Sequence, residues 1–220
     1  MIKYGVPQGS LFGPTLFLLY INDLPAVMNK KTVPVLFADD TSILLLIVTL
    51  WNSIWILKQF LEILICGSKK DCLSINTEKT HYIRFKTKNN QPTDISMCLD
   101  NNRISFNLHT KFLGLIVDNT LSWKPHIEHL LNKLSTVCYV IRSVKPYLNK
   151  NAIIMIYHSL FHAVMTYGII FWGNSSHSTQ VFRMQKKAIK IIMGRGNRES
   201  CRNLFRELNI LPLMLQCIFS

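Results

Sequence analysis

The stretch VPVLFADDTSILLLI, residues 33–47, constrains the fold of this chain more than any other. Two runs of β-favouring residues flank Ala38, Asp39 and Asp40, which predicts a hairpin with two carboxylates at its tip. Adjacent carboxylates raise each other's pKa and need a compensating partner when they are partly buried. The pair therefore indicates a divalent-metal site, because Mg²⁺ binds carboxylate oxygens. A solvated turn, in which aspartate is also common, is the alternative.

The net charge of the chain favours a polyanionic partner. Its 220 residues include 25 Lys and Arg against 12 Asp and Glu, a formal net charge of +13, and 49% of them are hydrophobic, which is enough to build a core. Cations that neutralise phosphates release counterions, and this release drives binding to nucleic acid. An anionic membrane surface is the competing partner, because the mean hydropathy is +0.20.

One apolar stretch, residues 43–57, could be mistaken for a membrane span. It is shorter than the roughly 20 apolar residues that a bilayer needs, and Asn52 and Ser53 interrupt it. We therefore expect a buried element and no membrane partner, with a small membrane protein as the alternative.

The six cysteines form no C-x-x-C pair and no apolar leader follows Met1, so we expect a protein of the nucleus or cytoplasm that is not secreted.

Hydrophobic periodicity divides the chain into a mixed α/β first half and a helical second half, with the boundary near residues 118–123. Residues 14–21 are apolar on every side, which predicts a helix that is buried all round. The other predicted strands cover residues 81–85, 95–99, 103–106 and 111–117, and the predicted helices cover residues 126–144, 151–171 and 178–194. The pattern as a whole is that of an α+β protein.

Five motifs follow one another in a fixed order: GVPQGS, YINDLP, FADDTSIL, LSINTEKTHYIRF and KFLGLIVDNTLSWKPHI. This ordered series resembles the palm of the reverse transcriptases of non-LTR retrotransposons, LINE-like elements of the jockey type. Four later segments resemble the region that follows the polymerase motifs in those elements: residues 157–160, 167–173, 183–192 and 201–213. The resemblance implies a partial palm, an antiparallel sheet with packed helices, over residues 1–120. A helical thumb and post-polymerase region is implied over residues 121–220.

The resemblance implies an RNA-directed DNA polymerase that uses Mg²⁺ or Mn²⁺, a template RNA, a DNA primer and dNTPs. In that reaction the primer 3′-hydroxyl attacks the α-phosphate of a dNTP, and two metals bracket the attacking and leaving oxygens. Asp39 matches the metal-binding aspartate of the family's F-A-D-D motif and Asp40 matches its neighbour. Phe37 and Ala38 match the residues that set the turn beside the primer end.

Other motif residues also acquire roles through the resemblance. Gln8 and Gly9 match the loop that faces the template base and the incoming nucleotide, where glycine permits close backbone approach. Lys79 matches the lysine that neutralises or protonates the leaving pyrophosphate, and an ordinary exposed lysine is the alternative. Residues 112–118, FLGLIVD, resemble the primer-grip hairpin region, although Gly114 also fits a strand glycine at a bulge.

Two departures from the family shape the expected function. The two-metal reaction needs a further aspartate, which the family carries before GVPQGS, and this chain begins four residues before that loop. We therefore expect a truncated, inactive copy whose metal site is incomplete, with a basic nucleic-acid-binding remnant as the alternative. Residues 43–68 also lack the family's polar helix, which ends in a Trp-Phe pair. Codons for residues 66–68 can encode Trp-Phe when they are read two bases later. We therefore hypothesise two compensating frame shifts in this segment.

Basic side chains in the second half are candidates for contact with a nucleic-acid backbone. Three of them share one face of the predicted helix 178–194: Arg183, Lys187 and Lys190. The apolar residues Val181, Ala188 and Ile192 lie opposite them. A second stripe consists of Arg198, Arg202 and Arg206. A solvated helix face is the alternative for each, since phosphate contacts have no local sequence signature.

Three other features predict packing rather than chemistry. The pairs His126 with His129 and His158 with His162 have helical spacing but lack the glutamate of an H-E-x-x-H site, so we expect packing or capping roles. Trp123 is expected to anchor the core and not to stack on a base.

Overall fold

The structure is a computed structural model that describes residues 9–22, 32–38, 40–45, 76–87, 97–99, 102–196 and 198–219. The chain forms two compact units, one made of Met1–Tyr82 with Pro92–Ser105 and the other of Ile83–Gln91 with Phe106–Ser220. The described residues combine antiparallel strands with helices. The predicted α+β class is therefore confirmed at that level.

The first unit begins with helix α1, Gly13–Ile21, and Pro14 lies in its first turn, where a missing N–H costs nothing. The helix was predicted correctly, but its burial was not. Ile21 is buried at 6% exposure, whereas Leu18 and Leu19 are exposed at 53% and 69%. An apolar helix is buried all round only when neighbours cover every side, and the described residues do not cover these two leucines.

The predicted hairpin is present in the first unit. Strand β1, Thr32–Phe37, pairs antiparallel with β2, Asp40–Leu45, from Thr32 opposite Leu45 to Phe37 opposite Asp40. The first three residues of the stretch 43–57 thus belong to a strand, and the remainder of that stretch and of the segment 43–68 lies outside the described residues. Among the described helices, none is both long and apolar enough to cross a membrane.

A small sheet of three strands completes the described part of the first unit. Its strands are β3, His81–Tyr82, β4, Met97–Leu99, and β5, Asn102–Phe106, and β5 lies in the middle. The strand predicted over 81–85 is only two residues long, and residues 83–85 belong to the second unit, where Lys86 donates its N–H to the carbonyl of Asn119 at 2.9 Å. The strand predicted over 103–106 is confirmed; residues 95–96 lie outside the described residues.

The second unit starts with another hairpin. Strand β6, His109–Phe112, pairs antiparallel with β7, Leu115–Asp118. The two connecting residues, Leu113 and Gly114, have φ values of 45° and 83°, which are the positive values of a type I′ turn. The single strand predicted over 111–117 is therefore wrong, and Gly114 is a turn glycine and not a bulge glycine.

Helices make up the rest of the second unit. They are α2, Lys124–Val144; α3, Lys150–Ile156; a π-helical segment, Tyr157–His162; α4, Ala163–Thr166; α5, Ile169–Trp172; α6, Ser178–Met193; α7, Arg202–Glu207; and α8, Leu213–Phe219. The helices predicted at 126–144 and 178–194 are confirmed. The helix predicted over 151–171 is wrong in its last part, since Gly168 adopts a left-handed conformation with a φ of 61° and separates α4 from α5.

The hydrophobic core lies in the helical part of the second unit. Helix α2 contributes a stripe of buried residues at three-and-four spacing, Ile127, Leu130, Leu134, Cys138 and Ile141. Several large side chains from the other helices are completely buried: Tyr157, Phe161, Met165, Trp172, Ile189 and Leu213. This core holds the β6–β7 hairpin through Leu115, which is buried within it.

Candidate functional site

The tip of the β1–β2 hairpin is tight. Phe37 pairs with Asp40 across it, so residues 38 and 39 alone connect the strands. Ala38 has a φ of 51°, a positive value that two-residue hairpin loops require and that costs a residue with a side chain about 1–2 kcal/mol. Phe37 and Asp40 are exposed, and Asp39 lies outside the described residues. The hairpin therefore presents the Asp40 carboxylate to solvent at the start of β2.

The described residues do not by themselves fit a complete magnesium site. No group of three His, Cys, Asp or Glu side chains comes together among them, whereas Mg²⁺ demands near-octahedral coordination by oxygen. Asp40 supplies one carboxylate. A metal ion at this tip would need Asp39 and further ligands in addition.

The predicted nucleotide loop is described only from Gly9 onward, and Gln8 lies outside the described residues. Gly9 has a φ of 87°, and a Cβ added there would meet no other atom within 4 Å. Backbone conformation, and not lack of space, therefore requires glycine at this position. The open space beside it would allow a ligand to approach the backbone closely.

Lys79 lies in a turn that Asn76 organises. The Asn76 Oδ1 accepts the backbone N–H groups of Glu78 at 3.1 Å and Lys79 at 3.2 Å. The Thr80 hydroxyl donates to the Asn76 carbonyl at 2.7 Å. The motif N-T-E-K-T is thus a locally built turn just before β3 that leaves the Lys79 side chain exposed. Sequence reasoning missed Asn76, although an asparagine that opens a polar turn is the usual signal of such a cap.

The turn of the β6–β7 hairpin is held by the break between α4 and α5. The phenol of Tyr167 donates to the carbonyl of Leu113 at 2.5 Å. A Cβ added at Gly114 would lie 3.2 Å from the Tyr167 ring, and one added at Gly168 would lie 2.7 Å from the Leu115 side chain. The motifs FLGL and YGIIFWG, which are separate in sequence, therefore form one contact in the second unit.

Asp118 follows this hairpin and organises the entry to α2. Its Oδ2 accepts hydrogen bonds from the Thr120 hydroxyl at 2.6 Å and from the Ser122 N–H and hydroxyl, both at 3.0 Å. Its Oδ1 accepts the N–H of Trp123 at 2.8 Å. Burial alone would raise the pKa of Asp118, but these hydrogen bonds outweigh it and lower the pKa to about 2. The contacts assign Asp118 a structural role, signalled in the sequence by D-N-T-L-S.

His126 and Trp123 pack at the base of the same hairpin. The His126 ring is buried at 5% exposure, and its Nδ1 accepts the N–H of Ile116 at 3.3 Å. Burial lowers its pKa, with smaller contributions from His129 and Lys133. The Trp123 ring packs against the core. The packing roles predicted for Trp123 and His126 are confirmed.

The basic residues predicted on α6 occupy the face opposite its buried side chains. Val181, Ala188 and Ile192 are buried in the core. Arg183 and Lys187 are exposed, while Lys190 is half-buried. The amphipathic arrangement predicted for this helix is confirmed. The second predicted stripe is exposed throughout: Arg198, Arg202 and Arg206.

A family model described as "Reverse transcriptase (RNA-dependent DNA polymerase)" matches residues 1–117. The match covers the loop of Gly9, the β1–β2 hairpin, the turn of Lys79 and most of the β6–β7 hairpin. No solved structure matches the chain.

Curated relatives extend the similarity to the helical half. The RNA-directed DNA polymerase from mobile element jockey of Drosophila melanogaster is 25% identical over 96% of this chain and 24% of the relative. The probable RNA-directed DNA polymerase from transposon BS of the same organism is 24% identical over the same shares. The retrovirus-related Pol polyprotein from type-1 retrotransposable element R1 of Bradysia coprophila is 30% identical over 78% of this chain and 17% of the relative. The chain thus spans about a quarter of the length of the first two relatives. It belongs to the reverse transcriptase (RNA-dependent DNA polymerase) family, and within it resembles polymerases of non-LTR mobile elements, as its motifs predict.

Proposed function

We propose that this chain is part of the RNA-directed DNA polymerase of a non-LTR mobile element. Residues 1–120 form part of its palm, and residues 121–220 form its thumb and post-polymerase region. The observation that carries the proposal is the β1–β2 hairpin, whose two-residue connection lies within F-A-D-D. That hairpin falls inside the segment that matches the family model.

Each motif residue has a role in this proposal. Asp39 and Asp40 would supply part of the carboxylate ligands of Mg²⁺ or Mn²⁺, and a metal held there would supply Lewis-acid stabilisation of the negative charge on the attacking and leaving oxygens. Phe37 and Ala38 shape the turn beside the primer end. A complete site would need further ligands, since the described residues bring no three such side chains together.

The remaining roles concern the substrates. Gln8 and Gly9 line the side of the incoming nucleotide and template base, and the open space beside Gly9 supports that placement. Lys79, exposed in the Asn76 turn, neutralises pyrophosphate. Template RNA, DNA primer and dNTPs are the proposed partners, and the cations on the outer face of α6 contact the nucleic-acid backbone: Arg183, Lys187 and Lys190.

A basic nucleic-acid-binding remnant without catalysis is the second candidate function. The formal net charge of +13 supports binding in either case.

A chimeric polymerase separates the two functions. The segment of the jockey enzyme that aligns with this chain is replaced by residues 1–220, and dNTP incorporation is measured on an RNA template with a DNA primer and Mg²⁺. We expect incorporation, its loss on Asp39→Asn, and a smaller loss on Lys79→Ala. Glu78→Ala, an exposed neighbour in the same turn, is the control that retains activity. A folded chimera that binds primer and template but incorporates nothing would support the binding remnant.

A further inference from the structure

A groove of about 850 Å³ lies in the second unit between α6, α7 and the segment that leads into α8. Its volume is that of a small-ligand site. It shares only Lys190 with the outer-face cations of α6, because its lining includes Lys186 and Lys190 but not Arg183 or Lys187.

The groove is electropositive. Four cations line it, Lys186 and Lys190 from α6 and Arg202 and Arg206 from α7. The single lining carboxylate, Glu199, already accepts the Gly196 N–H at 3.1 Å and lies 3.7 Å from the Arg195 guanidinium. In the described part of the chain, no carboxylate lies within 4 Å of the side-chain nitrogens of Arg202, Arg206 or Lys186.

The cations occur in two pairs, each separated by one helical turn. Lys186 and Lys190 are four residues apart on α6, and so are Arg202 and Arg206 on α7. Side chains at this spacing are neighbours, with Cβ atoms about 5–6 Å apart. Two such pairs on one groove offer charge to several neighbouring phosphates of a strand.

Apolar side chains accompany the charges. Phe182 lies under the Lys186 ammonium, which is 4.2 Å from its ring centroid. Leu211 and Leu215 also line the groove and are exposed at 45% and 43%. Unpaired bases present flat apolar faces to such residues, whereas the bases of a duplex are stacked inside it. Grooves that combine positive charge with aromatic side chains are typical of single-strand binding.

We propose that this groove binds a single-stranded nucleic-acid segment, with its phosphates on Lys186, Lys190, Arg202 and Arg206 and its bases against Phe182, Leu211 and Leu215. This inference rests on the proposed function only in that the chain binds nucleic acid. It names a surface and a strand state that the polymerase motifs do not specify.

The test is fluorescence anisotropy on the full chain, with a labelled 20-nucleotide dT oligomer and a 20-base-pair duplex between 50 and 300 mM KCl. We expect tighter binding of the single strand. The double variant Arg202→Ala/Arg206→Ala should weaken that binding about tenfold or more and reduce the salt slope by about 1–2, since each lost phosphate contact removes roughly 0.7. The control Lys133→Ala/Arg142→Ala removes two exposed cations of α2 and should change the affinity by less than about twofold.

Circular dichroism checks that each variant is folded, and the single change Arg202→Gln replaces the double variant if that one unfolds. Equal losses in the groove and control variants would overturn the proposal, because net charge alone would then account for binding. Equal affinity for the duplex would overturn the single-strand assignment. A wild-type chain that binds neither probe overturns the inference, while incorporation by the chimeric polymerase still reports separately on the proposed function.

Discussion

Tyr167 and Leu113 are 54 positions apart in the chain, and the phenol of one donates a hydrogen bond to the backbone carbonyl of the other. The next residue of each motif reinforces the contact, because Gly114 lies under the tyrosine ring and Gly168 lies against Leu115. The turn of the β6–β7 hairpin is thus supported by the residues that interrupt the helix between α4 and α5.

Gly168→Ala tests this contact. The φ of 61° disfavours any side chain, and a new Cβ would lie 2.7 Å from the Leu115 Cδ2. We expect a loss of about 2–3 kcal/mol in the free energy of unfolding, measured by urea denaturation of the full chain. Gly196→Ala is the control, since a Cβ there would lie 3.6 Å from Glu199, an ordinary contact. Equal effects of the two substitutions would show that the hairpin contact is not specific.

The same contact shows where the fold could be predicted from sequence and where it could not. The β1–β2 hairpin and α2 follow from local periodicity, because alternation and three-and-four spacing are properties of short segments. The apolar spacing of a helix continues past Tyr167, but the left-handed Gly168 separates α4 from α5 and lies against Leu115, 53 positions earlier. The exposure of Leu18 and Leu19 was missed for a similar reason: periodicity says which residues are apolar but not which neighbours cover them.

The lowered pKa of Asp118 predicts that the free energy of unfolding decreases in acid. Its pKa is about 2 in the folded chain against an ordinary 3.8, so its contribution is complete above about pH 4 and is lost as the pH falls towards 2. We expect it to amount to about 1–2 kcal/mol once solvent screening is allowed for. The measurement is the urea midpoint of the wild type at pH 7, 4 and 3.

Asp118→Asn should remove that part of the pH dependence, because the amide does not titrate. It should also destabilise the chain at pH 7 by about 1–3 kcal/mol, since the NH₂ group cannot accept hydrogen bonds that the carboxylate accepts. The variant and the wild type should therefore converge in stability as the pH falls. A constant difference between them at all three pH values would contradict the assigned hydrogen bonds.

The features of the candidate site also divide into those that could be predicted from the sequence and those that could not. F-A-D-D and the turn before β3 are recognisable because their chemistry lies in consecutive residues. The network of Asp118 was missed although the polar run D-N-T-L-S is a turn signal, because an aspartate at the end of a strand can face either a substrate or the next turn. Three cations of the groove beside α7 were named as candidates for nucleic-acid contact, Lys190, Arg202 and Arg206, but the groove itself was missed because two helices contribute to it and no sequence period specifies their packing.

The lowered pKa of His126 predicts a second effect of pH on stability. Its pKa is lowered below the ordinary 6.5 by burial, helped by His129 and Lys133, so the unfolded chain binds a proton more readily than the folded chain. Its contribution to stability is therefore present above pH 6.5 and falls as the pH drops below that value. His126→Gln, which can still accept the Ile116 N–H, should flatten the slope between pH 7 and pH 5 in thermal unfolding. His158→Gln is measured alongside it, because burial also lowers the pKa of His158. An unchanged slope in the His126→Gln variant would contradict this assignment.

Gln185 ties α6 to the chain that enters α8. Its side chain is completely buried, its Nε2 donates to the Tyr157 hydroxyl at 3.1 Å and to the Leu211 carbonyl at 2.9 Å, and its Oε1 accepts the Leu213 N–H at 2.9 Å. Gln185→Leu fills the same space but leaves three polar groups without this partner, so we expect a loss of about 3 kcal/mol in the free energy of unfolding. Gln180→Leu, an exposed position on the same helix, should change it by less than about 0.5 kcal/mol. Amide hydrogen exchange gives the local readout, because exchange at Leu213 should accelerate in the Gln185 variant and not in the control. Equal protection of Leu213 in both would mean that Gln185 does not hold this segment.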